Sequence, residues 1–190
     1  MSTFPRKIKF ALGLSILGAG LFCLPSLSHA QGFESVYTDL IPKSCKMLKG
    51  DKESESSEQL CPGVGGYKLL RLEGDLRESI TIRDPQGKEF PLEYWSTIAG
   101  GFTNLGDKAE WRVEKSGGKI IPKALIVRVN ASENSEKPDV KTSYLAVAKI
   151  APGKACVVAK IPPGPKMNQL AREAADFASD RPCLSDSVGK

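Results

Sequence analysis

Beyond residue 30 the chain alternates apolar and polar positions in short runs, broken by glycine, proline, asparagine and serine clusters. The clearest case lies in residues 61–83. Residues 67–72 and 76–82 there read as two β-hairpin arms meeting at Glu73-Gly74-Asp75, with Gly74 free to take a positive φ. Asp84-Pro85-Gln86-Gly87 is a turn signature, since proline pre-sets its own φ and glycine closes the turn. Further strands are predicted at residues 92–98, 109–114, 120–130, 142–150 and 155–161, separated by Gly100-Gly101, Ser116-Gly117-Gly118 and Ala151-Pro152-Gly153.

In residues 124–129 and 155–161 both alternating faces are mostly apolar, which predicts strands covered on both sides. Pro122 cannot donate to a ladder and is predicted at an edge or a bulge. Residues 33–40 read as a short strand or an extended arm, and the charged, serine-rich residues 49–58 as a mobile loop. One helix closes the chain. Met167, Leu170, Ala171, Ala174, Phe177 and Ala178 recur at helical spacing, with Gln169, Arg172, Glu173 and Asp176 on the other side. Pro165 precedes this helix and Pro182 ends it. The expected architecture is mainly antiparallel β, a sandwich or partial barrel with a C-terminal helix packed on it.

Residues 1–30 read differently. Arg6, Lys7 and Lys9 precede an apolar run over residues 10–24, and Ser28-His29-Ala30 offers the small residues of a cleavage site. The run is shorter than the roughly 20 residues a spanning helix needs. The reading is a signal peptide over residues 1–30 and one β-rich domain over residues 31–190, without a membrane span after cleavage. Cleavage takes 27 basic residues to 24 against 22 acidic ones, so the net charge drops from +5 to +2. That removes the argument for nucleic-acid binding. The single histidine, His29, departs with the leader. A mature chain without histidine lacks the usual general base and the commonest transition-metal ligand.

Four cysteines then remain: Cys45, Cys61, Cys156 and Cys183. An even number in an exported chain implies two disulfides. Three pairings are possible, and spacing favours Cys45–Cys61 with Cys156–Cys183. The second would pin the C-terminal helix to a strand. Neither a C-x-x-C spacing nor a histidine is present to favour zinc, and no metal or cofactor is expected.

Five stretches resemble a group of small exported, periplasmic bacterial proteins catalogued as hypothetical. They are Ser35-Val36-Tyr37-Thr38-Asp39-Leu40, Cys61-Pro62-Gly63-Val64-Gly65-Gly66-Tyr67, Glu73-Gly74-Asp75-Leu76-Arg77, Asn104-Leu105-Gly106-Asp107-Lys108-Ala109-Glu110-Trp111-Arg112 and Asn168-Gln169-Leu170-Ala171-Arg172. The resemblance implies export into a Gram-negative-type envelope and supplies no reaction, ligand or site.

Motif by motif, the chemistry is sparse. Gly63-Val64-Gly65-Gly66 precedes a strand, whereas a phosphate loop opens a helix. Ser116-Gly117-Gly118-Lys119 has the S-x-x-K spacing of serine–lysine enzymes, but its two glycines favour a hairpin turn. Glu73, Asp75 and Glu78, joined by Glu93 and Glu110, are the candidate carboxylates for a glycoside-hydrolysing pair. Trp111 alternates with Val113 and reads as core, while Tyr94-Trp95 places adjacent aromatics on opposite faces of a strand. The leading reading is a non-enzymatic periplasmic binding module, acting as an inhibitor or envelope-associated adaptor. Its surface would be built from Tyr67, Arg71, Arg77, Tyr94 and Trp95, and would meet an envelope protein or cell-wall glycan. The alternative is a small carboxylate-based hydrolase acting on wall polysaccharide.

Overall fold

The computed structural model describes Met1 and residues 32–51, 53, 56–134 and 136–184. Apart from Met1, the segment expected to be a signal peptide, with its expected cleavage site and His29, lies outside the described residues.

Two five-stranded antiparallel sheets pack over one shared core. The first sheet has the order β1 (Glu34–Asp39), β7 (Thr103–Ser116), β8 (Lys119–Ser132), β9 (Lys141–Ala151) and β10 (Lys154–Ile161). The second runs β2 (Lys46–Asp51), β3 (Ser56–Cys61), β4 (Lys68–Gly74), β5 (Arg77–Arg83) and β6 (Glu89–Pro91). A single helical turn, α1 (Tyr94–Thr97), links them, and α2 (Met167–Asp176) closes the chain. Leu69, Ile80 and Ile82 of the second sheet meet Trp111, Leu125, Val127 and Val129 of the first. Trp111 is fully buried, as its alternation with Val113 predicts, and its Nε1 donates to Thr38 Oγ1 at 2.9 Å.

The disulfides join Cys45 to Cys61 and Cys156 to Cys183, the local pairing. Pro122 sits at a bulge: Arg112 pairs with Ala124 and Val113 with Pro122, leaving Lys123 as the extra residue. In β8, odd-numbered Leu125, Val127 and Val129 face the shared core, and even-numbered Ala124 and Ile126 face a second cluster under α2. The two-sided apolar pattern is thereby explained.

Four local expectations are corrected. Residues 49–58 do not form one loop, because Lys46–Asp51 and Ser56–Cys61 pair as strands. This hairpin lies at the sheet edge, where lysines and other polar residues discourage further pairing. The β4–β5 turn falls one residue late, with Asp75 and Leu76 at φ 52 and 56 and Gly74 still in β4. Register decides this: Leu69 opposite Ile82 keeps both in the core, and a slip by one would expose them.

Residues 92–98 are not a strand. Glu93, at φ 46, turns the chain into α1, and Thr97 Oγ1 donates to the carbonyls of Leu92 and Glu93. Finally, α2 is rotated relative to its predicted face. Ala171, Ala174, Ala175 and Ala178 are buried, whereas Leu170 and Phe177 are 47% and 65% exposed. Three alanines of α2, with Ala178 just beyond its end, allow the helix to lie close on the sheet, and its charged side chains reach back to the strands.

Candidate functional site

Strand pairing lays out the outer face of the first sheet in rows. Ser35, Arg112 and Ala124 share one row, and Tyr37, Glu110, Ile126 and Val147 the next. Beyond these, Arg128 lies opposite Leu145 and Asn130 opposite Ser143. Helix α2 covers Ala124, Ile126, Val147 and Val158 with its alanine stripe. Arg172 and Asp176, one turn apart on α2, reach over to β7.

Two forked ion pairs result. Arg112 donates to Asp176 from Nε at 2.7 Å and from Nη2 at 2.9 Å. Arg172 donates to Glu110 from Nε at 2.6 Å and from Nη2 at 3.3 Å. Ser35 joins them, donating to Glu110 at 2.5 Å and accepting from Arg112 at 2.6 Å. Burial works against the Glu110 charge, yet the hydrogen bonds and charge of Arg172, with Ser35 and Tyr37, outweigh it. Its carboxyl is held below the ordinary carboxylate value.

Past the first turn of α2 this face opens into a groove of about 650 Å³. Ile126 and Leu145 form an apolar floor, and both are buried; Leu105, which borders the groove, faces the shared core with its strand partner Val129. Tyr37 and Arg172 stand on one side, and Asn104, Arg128, Asn130 and Asn168 complete the rim. The lip is a bulge in β7. Leu105 pairs with Val129 and Ala109 with Val127, so three β7 residues span the single β8 residue Arg128. Gly106 makes that passage possible, because a Cβ there would lie 2.9 Å from the Arg128 Cβ. On the same lip Lys108 donates to Asp39 at 2.7 Å, and that partner raises the lysine's pKa.

Arg128 is held at several points. Its stem lies under Gly106, and its Nη1 donates to Ser143 Oγ at 2.8 Å and approaches Met167 Sδ at 3.6 Å. Ser143 in turn donates to Asn130 Oδ1 at 2.8 Å, which leaves the Asn130 NH₂ for other partners. Among the described residues, the side-chain amides of Asn104 and Asn168 make no hydrogen bond. Such a site can hold a polar chain above an apolar floor.

The residues expected to form a surface are not brought together. Tyr94 is 1% exposed, whereas Trp95, on the same helical turn, is 41% exposed. Tyr67 is half-buried, with its ring centroid 6.5 Å from that of Trp111. Arg71 lies on the core side of the second sheet and donates to Glu78 at 2.5 Å. Arg77 pairs with Asp75 at the hairpin tip, at 3.0 Å.

The carboxylates are divided as well. Glu73 and Glu78 are direct cross-strand partners beside a cavity of about 390 Å³ framed by Leu76, Phe102 and Lys141. Both Glu78 oxygens are occupied, by Arg71 and by the Leu105 N–H at 2.7 Å. Glu110 belongs to the other sheet. Ser116 and Lys119 flank a Gly117-Gly118 turn with both glycines at positive φ, as their sequence predicts.

Tyr37, Arg128, Asn130, Asn168 and Arg172 were not identified from sequence as site residues. A signal existed: Arg128 and Asn130 interrupt an otherwise apolar run over residues 124–131 of β8. Residues 35–40, 104–112 and 168–172 all supply lining residues, among them Tyr37, Glu110 and Arg172. Among the described residues no cluster of three or more histidine, cysteine, aspartate or glutamate side chains is arranged to hold a metal, and no helix is long and apolar enough to cross a membrane. In comparisons with known proteins, the chain matches no family model, no curated protein and no solved structure.

Proposed function

We propose that this protein is a non-enzymatic binding module of the bacterial envelope, and that the outer-face groove takes a glycan chain. The observation that carries this reading is the groove's chemistry. Uncommitted amides at Asn104 and Asn168 and the free NH₂ of Asn130 surround an apolar floor, with the half-exposed Tyr37 ring on the wall. An amide offers donors and an acceptor together, which suits adjacent sugar hydroxyls, and an aromatic face suits a sugar ring. A peptide adding as a strand needs an unpaired edge, and here β7 and β8 are each paired on both sides.

Non-enzymatic action is favoured by the state of the charged groups. Arg172 keeps Glu110 ionised and Asp39 keeps Lys108 protonated, so neither is poised for proton transfer. Two disulfides support a compartment outside the cytoplasm.

Co-sedimentation with purified cell-wall sacculi tests the reading, using oxidised protein produced from the full chain. Retention is expected, with loss after muramidase digestion of the sacculi and in an Asn168→Ala/Tyr37→Ala double variant. Retention unchanged in that variant would place the ligand elsewhere. Release of soluble sugar by the protein alone would replace binding with hydrolysis.

A further inference from the structure

Three arginines stand on the outer face of the first sheet or reach it from α2, and they differ in one respect. Arg112 and Arg172 each present the Nε and Nη2 edge to a carboxylate of the protein itself, Asp176 and Glu110. That edge carries two parallel N–H bonds, the geometry that matches the two oxygens of a carboxylate. Arg128 uses only Nη1, toward Ser143 and Met167. Its Nε and Nη2 have no hydrogen-bond partner among the described residues, and it lines the groove.

The charge balance points the same way. Within the groove Arg172 is paired with Glu110, and Lys108 with Asp39. Arg128 and Asp107 remain, and no ion pair joins them. The Arg128 head is oriented beforehand by Ser143, Met167 and the Gly106 backbone over its stem. An arginine fixed at one end with its forked edge open is a preformed carboxylate receptor.

We infer that Arg128 receives a carboxylate of the ligand, so that the groove selects an acidic saccharide over a neutral one. This inference rests on the glycan-binding reading of the same groove. Ligand hydroxyls then fall to Asn104, Asn130 and Asn168. Asp107 on the lip acts against the ligand's charge and limits affinity for it.

Calorimetric titration with two probes tests it: an oligogalacturonide, and the same oligomer methyl-esterified so that shape is kept and charge removed. The wild-type protein is expected to prefer the acid by about tenfold, the scale of a charge-assisted forked bond in a solvent-accessible site. Arg128→Gln, shown to be folded by a thermal unfolding midpoint matching the wild type, should abolish that preference, so that acid and ester bind alike. Arg128→Lys should recover only part of it, because the ammonium lacks the fork. Asp107→Asn should increase it. Equal binding of acid and ester by the wild type would overturn this inference and leave the glycan reading standing. Binding of neither probe, together with no retention on sacculi, would overturn both.

Discussion

The outer face of the first sheet is divided into a closed half and an open half. Under α2 the face is apolar and small-residued, with Ala124, Val147 and Val158 meeting Ala171, Ala174 and Ala175. The border is marked by ion pairs in which each arginine is matched by a carboxylate. Beyond the helix the same strands present amides and an unmatched arginine above Ile126 and Leu145. The strands run continuously through both halves, so the helix position alone decides which residues stabilise the fold and which remain available. Substitutions in the closed half should therefore alter stability, and those in the open half binding.

The largest break should come from the Cys156–Cys183 bond, which ties β10 to the chain just after α2. It closes a loop of 27 residues, and restricting a loop of that length in the unfolded chain stabilises by about 3–4 kcal/mol. Cys156→Ala/Cys183→Ala is expected to lower Tm by about 10 °C, read by thermal unfolding. Loosening the helix should also weaken retention on sacculi, because Asn168 and Arg172 both belong to it. Normal retention by a folded variant would mean that the groove does not need the helix fixed.

Arg112→Met is the next largest. The Arg112 side chain is 10% exposed and makes hydrogen bonds to Asp176, Ser35 and the Phe33 carbonyl. Its removal orphans a carboxylate that is itself 29% exposed, so water softens the loss. About 2–3 kcal/mol is expected in urea unfolding, below the full cost of stranding a deeply buried charge. Binding of the acidic probe should stay unchanged, since Arg112 does not line the groove. A parallel loss of binding would remove the division between the halves.

How much of this was legible in the sequence follows from the range of each interaction. Short β-prone runs between turn clusters located β4, β5 and β7 to β10, because strand propensity and turn chemistry are properties of neighbouring residues. The spacing of the cysteines likewise favoured the pairing found. The polar β2–β3 hairpin escaped, since an edge hairpin needs little apolar patterning. The face of α2 was misread because helical periodicity shows an apolar arc but not which part of it meets the sheet. Arg172 and Asp176 were placed outward as charged residues, yet their partners Glu110 and Arg112 lie 62 and 64 positions earlier. Nothing local encodes such a pairing. The groove depends on the same long-range contacts and on a bulge that shifts register by two residues. Tyr94 and Arg71 looked like surface groups for the converse reason: burial of a tyrosine or an arginine is settled by the elements packed around it.

Glu110 stands where the halves meet, and it gives the smallest and most discriminating effect. Its carboxyl is held below the ordinary value near 4.5 by Arg172, Ser35 and Tyr37, against the opposing effect of burial. A group whose folded-state pKa is depressed contributes stability above its unfolded value and loses it as pH falls through the folded one. Glu110→Gln is therefore expected to cost about 1 kcal/mol near neutral pH, the scale of a charge-assisted hydrogen bond partly offset by desolvation. As pH drops below about 4.5 the wild type should lose that advantage and the two proteins converge, measured by urea unfolding at each pH. A gap that instead widens in acid would mean that Glu110 is protonated in the folded state, reopening it as a proton donor. Glutamine also leaves Arg172 without its counter-charge beside the groove, giving the groove a second unmatched guanidinium. The acidic probe should then bind more tightly to this variant while the methyl ester is unaffected. That combination, weaker folding with stronger acid binding, is expected only at a residue shared by both halves.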